Sequence, residues 1–394
     1  MRILSIETSA DESAISIVNV EGEFPTATYE LSGNALRTQI EMHQQYGGIF
    51  PSMAKREHAK ALTPLLKVAL EEADLLEPEV QEVDEGLQSE VTTLLEREPD
   101  MSDVVLDFLN NHGRPEVDLI AVTSGPGLEP ALWVGVNFAK ALATAWKIPV
   151  VPVNHMEGHI LASIYDVDED DQLSNIPFPT VALLISGGHT ELQLMKNWGS
   201  YKKLGSTRDD AVGEAFDKVA RLMGLPYPGG PEISKLAAKA RQLDLPPFKA
   251  DLPKPMFNSG DLDMSFSGLK TAVRYALEGH GLTDDERMSL SRDFEDVVAD
   301  VLIKKSTDAI DQTNAKALVI GGGVSANQYL RDQFQLRLMS THPDLTVYFP
   351  MPGLSTDNSI MIALAGHARA ESALSPKGAM VSIRADGNRS LSTE

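Results

Sequence analysis

The sequence predicts an α/β protein of two lobes, each built around a similar β-hairpin. Two apolar runs, residues 3–7 and 181–185, each lead through a tight polar turn into a second alternating run, residues 14–20 and 191–195. A strand, a tight turn and a second strand make a hairpin, and the two hairpins lie about 180 residues apart. Between them, apolar residues recur at helical spacing. With 394 residues, 42% of them hydrophobic, the chain can bury a large core and is too long for one comfortable domain. A first lobe over residues 1–150 and a second over 151–394 are expected, with the hairpin turns facing a shared cleft. The C-terminal helix is expected to pack back on the first lobe.

The elements follow in order. The first run ends in the turn Thr8-Ser9-Ala10-Asp11-Glu12, and residues 52–70 then carry helical spacing. Residues 77–114 are acidic but keep helical periodicity through Leu94, Leu95, Val104, Val105, Phe108 and Leu109, which predicts a small helical insertion in the first lobe. The turn Ser124-Gly125-Pro126-Gly127 precedes a helix over 132–146. The second hairpin turns through Ser186-Gly187-Gly188-His189-Thr190, and Glu214-Ala215-Phe216-Asp217-Lys218 begins a helix. Residues 245–258, with Pro246, Pro247, Pro253 and Pro255, read as an ordered loop. A long amphipathic helix covers 293–313. A third apolar run, 317–320, ends in Gly321-Gly322-Gly323, and a last helix over 359–370 follows Ser355-Thr356-Asp357-Asn358.

Composition excludes several classes. The chain has no cysteine, so disulfides, thiolate metal ligands, iron–sulfur clusters and a cysteine nucleophile are out. No apolar run reaches the length of a membrane span. The N-terminus reads straight into a buried strand with no signal or transit segment, and a cytoplasmic protein is expected. The formal net charge of −23 argues against nucleic acid as a partner, but the charge is uneven. Residues 71–118 hold 16 acidic residues against Arg97 and Arg114, which is −14 and leaves −9 for the rest. A second acidic run, 166–171, holds five carboxylates. Local basic patches remain open, with Lys202, Lys203, Lys235, Lys239, Arg241, Lys304 and Lys305 as candidates.

The chemistry starts with His155-Met156-Glu157-Gly158-His159. On a helix, positions i and i+4 share a face, so His155 and His159 can address one metal ion. Asp357 can close that site as a third ligand, and two His plus one carboxylate with open positions is a catalytic arrangement. Two unrelated helix histidines would show the same spacing. A zinc protease would need Glu at 156, where this chain has Met, and Glu157 lies about 200° round the helix. Asp11 and Glu12 offer carboxylates near the cleft instead. The glycine runs Ser186-Gly187-Gly188, Gly229-Gly230 and Gly321-Gly322-Gly323 let backbone N–H groups approach a phosphate. None matches a P-loop or a dinucleotide fingerprint. Asp217 can reach ribose hydroxyls or serve as surface charge. Asn327 can hold a base or phosphate, or cap a helix.

These residues, with Ile6-Glu7-Thr8-Ser9, Phe266-Ser267-Gly268-Leu269-Lys270 and Thr356-Asp357-Asn358 in order, closely resemble the bacterial TsaD family of tRNA threonylcarbamoyltransferases. The resemblance covers nearly the whole chain apart from the acidic insertion and the extreme C-terminus. It implies an actin-like (ASKHA) fold, two lobes of duplicated mixed sheets flanked by helices. It implies transfer of threonylcarbamoyl from threonylcarbamoyl-AMP to N6 of the adenosine just 3′ of the anticodon, position 37, in tRNAs that read A-starting codons. It implies one divalent metal ion per subunit, Fe2+ ahead of Zn2+, on His155, His159 and Asp357. The adenylate would lie on Leu184, Ile185, Ser186, Gly187, Gly188, Asp217, Gly230 and Asn327. TsaB-like and TsaE-like partner proteins are implied beside tRNA. An adenine amine is a poor nucleophile, so its acceptor carbonyl must be activated, and Asp11 or Glu12 is the candidate to collect the amine proton.

Three departures stand out. Ala10 replaces the family's usual Cys. The usual C-terminal Ser-Val-Arg-Pro-Arg-Trp becomes Ser382-Ile383-Arg384-Ala385-Asp386, which puts the local contacts there in question. The insertion falls in the lobe that contacts TsaB in bacterial relatives, and it is expected to project away from the tRNA path. Competing readings are a phosphotransferase holding ATP in the same glycine loops and a nucleotide-gated scaffold with a structural metal. A metalloprotease comes last.

Overall fold

The computed structural model describes residues 1–394 except 81, 168–170, 280 and 394. Part of the second acidic run therefore lies outside the described residues. The chain forms two compact units, one of residues 1–41, 49–175 and 357–390, the other of 42–48, 176–356 and 391–394.

In the first unit β1 (Arg2–Glu7), β2 (Glu12–Glu21) and β3 (Thr28–Thr38) form an antiparallel meander. β4 (Leu119–Gly125) runs parallel to β1, and β5 (Val150–Asn154) parallel to β4. The short strands β6 (Tyr165–Asp166) and β7 (Gln172–Leu173) extend the far edge, giving the order β5-β4-β1-β2-β3-β7-β6. In the second unit β8 (Thr180–Ile185), β9 (Thr190–Asn197) and β10 (Ser200–Ser206) repeat the meander. β11 (Ala317–Gly321) lies parallel to β8, and β12 (Thr346–Tyr348) parallel to β11. The order β10-β9-β8-β11-β12 repeats β3-β2-β1-β4-β5 strand for strand. The expected duplicated α/β fold, with two mixed sheets flanked by helices, is the fold that forms.

The apolar runs have a physical cause. β1 and β8 are central strands buried on both faces, so apolar residues are not confined to alternate positions, although β1 also buries Ser5 and Glu7. Leu4, Ile6, Ile15 and Ile17 share one buried cluster with Leu62 and Leu66 of helix Pro51–Glu72 and with Phe138 and Leu142 of helix Glu129–Trp146. Helix Ile360–Ala368 belongs to the same unit and is buried on nearly every side. A Cβ on its Gly366 would lie 2.5 Å from Ala121 Cβ, so glycine lets that helix come down onto β4. In the second unit, the long helix Asp284–Thr313 starts nine residues before its expected position. A capping box between Thr283 and Glu286 opens it. Its first turn is polar, which hides it from a search for apolar spacing.

The division between units also falls elsewhere than at 150. Residues 151–175 stay with the first unit because β5 completes its sheet, and the histidine-bearing helix His155–Ile164 follows β5 directly. The chain returns to that unit at Asp357, so helix Ile360–Ala368 and the C-terminal helix Pro376–Ser382 both lie in it.

The acidic segment is helical as expected, over Glu85–Leu94 and Pro99–Asn111. Val91, Leu95, Met101, Val105, Phe108 and Leu109 join the first unit's core, and Phe108 meets Trp146 edge-on at 6.3 Å between centroids. Each such side chain contributes about 1.5–3 kcal/mol of burial. The C-terminal segment, in question from sequence, is tied to the first unit. Lys140 Nζ donates to Ile383 O at 2.9 Å, Asp386 N to Ser124 O at 2.9 Å, and Gly127 N to Gly387 O at 3.2 Å. Two of these bonds run between backbone groups, so they do not depend on side-chain identity. Three of the candidate basic residues are tied up locally. Arg241 pairs with Glu295 and Asp296, Lys304 pairs with Asp308, and buried Lys305 donates to Ser259 Oγ and Asp261 O. No helix among the described residues is long and apolar enough to cross a membrane.

Candidate active site

Helix His155–Ile164 is capped by Asn154, whose Oδ1 accepts from Met156 N at 2.9 Å. Asn154 Nδ2 donates to Ser390 O at 3.2 Å, so the C-terminal segment braces the cap. The i, i+4 spacing places the two imidazoles edge-to-face with centroids 4.7 Å apart. Both histidines are buried. Asp357 Oδ1 lies 3.3 Å from His155 Nε2 and 3.2 Å from His159 Nε2. Two ligands about 2.1 Å from one ion, roughly 100° apart, sit about 3.2 Å from each other. The three side chains thus form a group that can hold a single metal ion. His159 Nε2 is buried without a hydrogen bond despite its closeness to Asp357, as expected of a lone pair reserved for a metal. Two nitrogens and one oxygen suit Fe2+ and Zn2+ alike.

The electrostatics separate the two imidazoles. Burial opposes a charge on His155, but Asp357 and then Glu7 outweigh it and hold His155 well above the usual histidine range. Burial dominates at His159 and pushes it down, so it stays neutral, the form that ligates. Burial would raise Asp357, yet the two imidazoles hold it well below the usual carboxylate range.

Glu7, at the end of β1, received no role from sequence. Its Oε2 accepts from Thr123 Oγ1 at 2.5 Å and lies 3.1 Å from His155 Nδ1, and its Oε1 accepts from Ser9 N at 2.5 Å. The available signal was a carboxylate at the end of a run otherwise read as buried, since burying a charge is costly unless something holds it. Asp11 is buried and Glu12 half-buried at the start of β2. Burial first, then Asp357 and Asp11, push Glu12 up to about 10. Glu157 turns away from the histidine face and is held by Arg369 at 2.8 and 3.0 Å. That arrangement leaves a protease reading without its base.

The other sequence-predicted residues lie in the second unit. Leu184 and Ile185 are wholly buried strand residues that lead into the turn. The turn is closed by Ser186 N donating to His189 O at 2.8 Å and His189 N to Ser186 Oγ at 3.1 Å. Gly187 and Gly188 are exposed, and a Cβ on either would meet nothing within 4 Å. The other runs are mixed. Gly230 and Gly323 are open in the same way, whereas a Cβ on Gly229 would lie 2.4 Å from Ala220 Cβ and one on Gly322 2.5 Å from Ile185 O. Asp217 accepts from Gly229 N at 2.7 Å and so ties its helix to the second glycine run. Asn327 caps helix Gln328–Thr341 through Leu330 N at 3.0 Å and donates to Ser234 and Glu295, both at 2.8 Å. Its local role is the cap.

A duplicated α/β fold with a buried His/His/Asp group and glycine-rich element ends defines a class: a two-unit α/β protein with a side-chain group that can hold a metal ion. Comparison with known proteins narrows it. The family model for tRNA N6-adenosine threonylcarbamoyltransferase, TsaD, matches residues 30–83 and 101–364. The tRNA N6-adenosine threonylcarbamoyltransferase of Bordetella petrii is 41% identical over 378 residues, 95% of this chain and 92% of its own. The chain belongs to the TsaD family, and it is a transferase of tRNA modification. Among solved structures, T. kodakarensis HypF overlaps 71% of this chain and 44% of its own at TM-score 0.47 and 12% identity. Component A of Acidaminococcus fermentans (R)-2-hydroxyglutaryl-CoA dehydratase overlaps 96% and 99% at TM-score 0.44 and 12% identity. Likenesses this loose add nothing to the family assignment. The stretch the family model leaves unmatched within its span, residues 84–100, lies inside the expected insertion of 77–114.

Proposed function

We propose that the chain transfers threonylcarbamoyl from threonylcarbamoyl-AMP to N6 of adenosine 37 in tRNAs that read A-starting codons. A new bond forms between N6 and the carbamoyl carbon, the bond from that carbon to the phosphate oxygen breaks, AMP leaves, and N6 gives up a proton. The His155/His159/Asp357 group is the observation that carries this reading, because a phosphotransferase using the same glycine loops would leave it without a task. Fe2+, or Zn2+ in its place, would supply Lewis-acid chemistry there. Ser186, Gly187 and Gly188 offer backbone N–H groups to the phosphate as its charge develops, with the backbone of Leu184 and Ile185 behind them. Gly230, Asp217 and Asn327 complete the adenylate site, Asp217 and Asn327 by shaping the glycine run and helix start that they cap. Asp11 or Glu12, at the first hairpin turn, is the proposed acceptor for the amine proton. TsaB-like and TsaE-like proteins are the proposed partners, and the cytoplasm the proposed compartment.

The test is a transfer assay with threonylcarbamoyl-AMP and unmodified tRNA, with and without partner proteins, the nucleosides being read by mass spectrometry. Modified adenosine that disappears in His155→Ala and Asp357→Ala is the expected result. No product from folded, metal-loaded protein under any partner condition overturns the proposal in favour of a phosphotransferase.

A further inference from the structure

We propose that Glu7 is a positioning residue that fixes the proton of His155 on Nδ1 and aims its Nε2 at the metal. The inference rests on the metal-site reading above. Glu7 is 0% exposed and ends a strand whose preceding four residues are all buried. Among the described residues His155 is its one ion-pair partner, at 3.1 Å from Oε2. Thr123 Oγ1 donates to the same oxygen at 2.5 Å, and Ser9 N donates to the other at 2.5 Å. Three donors from three separate segments thus lock the carboxylate in one orientation. A locked acceptor on Nδ1 keeps that proton in place, so Nε2, which faces Asp357 Oδ1 at 3.3 Å, is the nitrogen whose proton a metal would displace. A carboxylate behind a ligating imidazole fixes its tautomer and raises its basicity. Burying a carboxylate with no Lys or Arg is costly unless the hydrogen bonds have a purpose. Carboxylate, imidazole and metal in line supply one.

Glu7→Gln tests this without changing volume. An amide has one acceptor oxygen, so it cannot serve Ser9 N–H on one side and the Thr123–His155 pair on the other. With its NH2 toward His155, it donates to Nδ1 and moves the imidazole proton onto Nε2. With its NH2 toward Ser9, two donors collide. Zn2+ binding is measured by competition with a chromophoric chelator, alongside circular dichroism of the zinc-free protein. The expected result is a Kd weakened by about 10–100-fold in a folded variant. An unchanged Kd overturns the proposal. Nitrogen-15 NMR of zinc-loaded wild-type protein provides a second measurement that needs no variant. It should show His155 protonated on Nδ1 and metallated on Nε2, and the reverse assignment overturns the proposal equally. His155→Ala tells the two levels apart: zinc bound at the wild-type Kd in that variant would remove the metal site itself, whatever Glu7 does.

Discussion

The metal-ligand group of the first unit and the glycine turns of the second are built on opposite plans. His155 and His159 are buried, converge with Asp357 at 3.2–3.3 Å, and have a carboxylate behind one of them. The site consists of side chains fixed by their surroundings. Gly187, Gly188, Gly230 and Gly323 offer bare backbone to open space. The lesson is that the two sites fail differently. A ligand substitution removes chemistry outright, whereas a glycine substitution affects either the space for a ligand or the fold, depending on which glycine is changed.

That contrast orders the predictions. The largest effect belongs to His159→Ala, with transfer and bound metal both falling by more than about 100-fold, since losing a ligand exceeds the 10–100-fold of losing a ligand's support. Metal analysis by mass spectrometry alongside the transfer assay checks it, and retained metal would erase the difference between the regions. Next comes the pair Gly322→Ala and Gly187→Ala. Gly322 has φ +93 and would place its Cβ 2.5 Å from Ile185 O, so the alanine should cost about 1–3 kcal/mol in urea unfolding. Gly187 has open space, so its alanine should leave stability within about 0.5 kcal/mol while weakening AMP binding in calorimetry. Equal destabilisation of the two variants would show that the open glycines serve the fold after all.

Phe108→Ala sharpens the comparison from the stability side. Its burial against Trp146 predicts a loss of about 3–5 kcal/mol by urea unfolding. A loss below 1 kcal/mol would mean that the acidic helices are loosely attached.

The smallest effect is a pH slope. Burial, helped by the N-terminal ammonium, lowers His367, whose Nδ1 lies 2.9 Å from Tyr29 Oη. The unfolded chain therefore takes up this proton more readily than the folded one. Stability is complete above the ordinary histidine value of 6.5 and is lost as pH falls from there toward the folded-state value, by at most about 1.4 kcal/mol per pH unit. His367→Phe should flatten that part of an acid titration followed by fluorescence, and an unchanged slope would assign it to other groups.

Much of this was legible in the sequence, for reasons that differ by element. The hairpins showed because central strands carry apolar residues beyond alternate positions, and the His pair showed because helical spacing alone puts residues 155 and 159 on one face. The unit boundary did not show. β5 looks like any short apolar run, and only its pairing with β4 assigns it to the first sheet. Glu7 stood in a motif without a role, because its meaning depends on Thr123 and His155, more than a hundred residues away. Asn327 was read two ways, and its helix-capping bonds were visible only once the turn had formed.

The central claim is that one metal ion on His155, His159 and Asp357 drives transfer. Its most direct test is single-turnover transfer by protein stripped of metal with a chelator, before and after titration with Fe2+ or Zn2+. The account predicts no transfer from the stripped protein and full recovery at one equivalent, with none in Asp357→Ala. Undiminished transfer by demonstrably metal-free protein would contradict it.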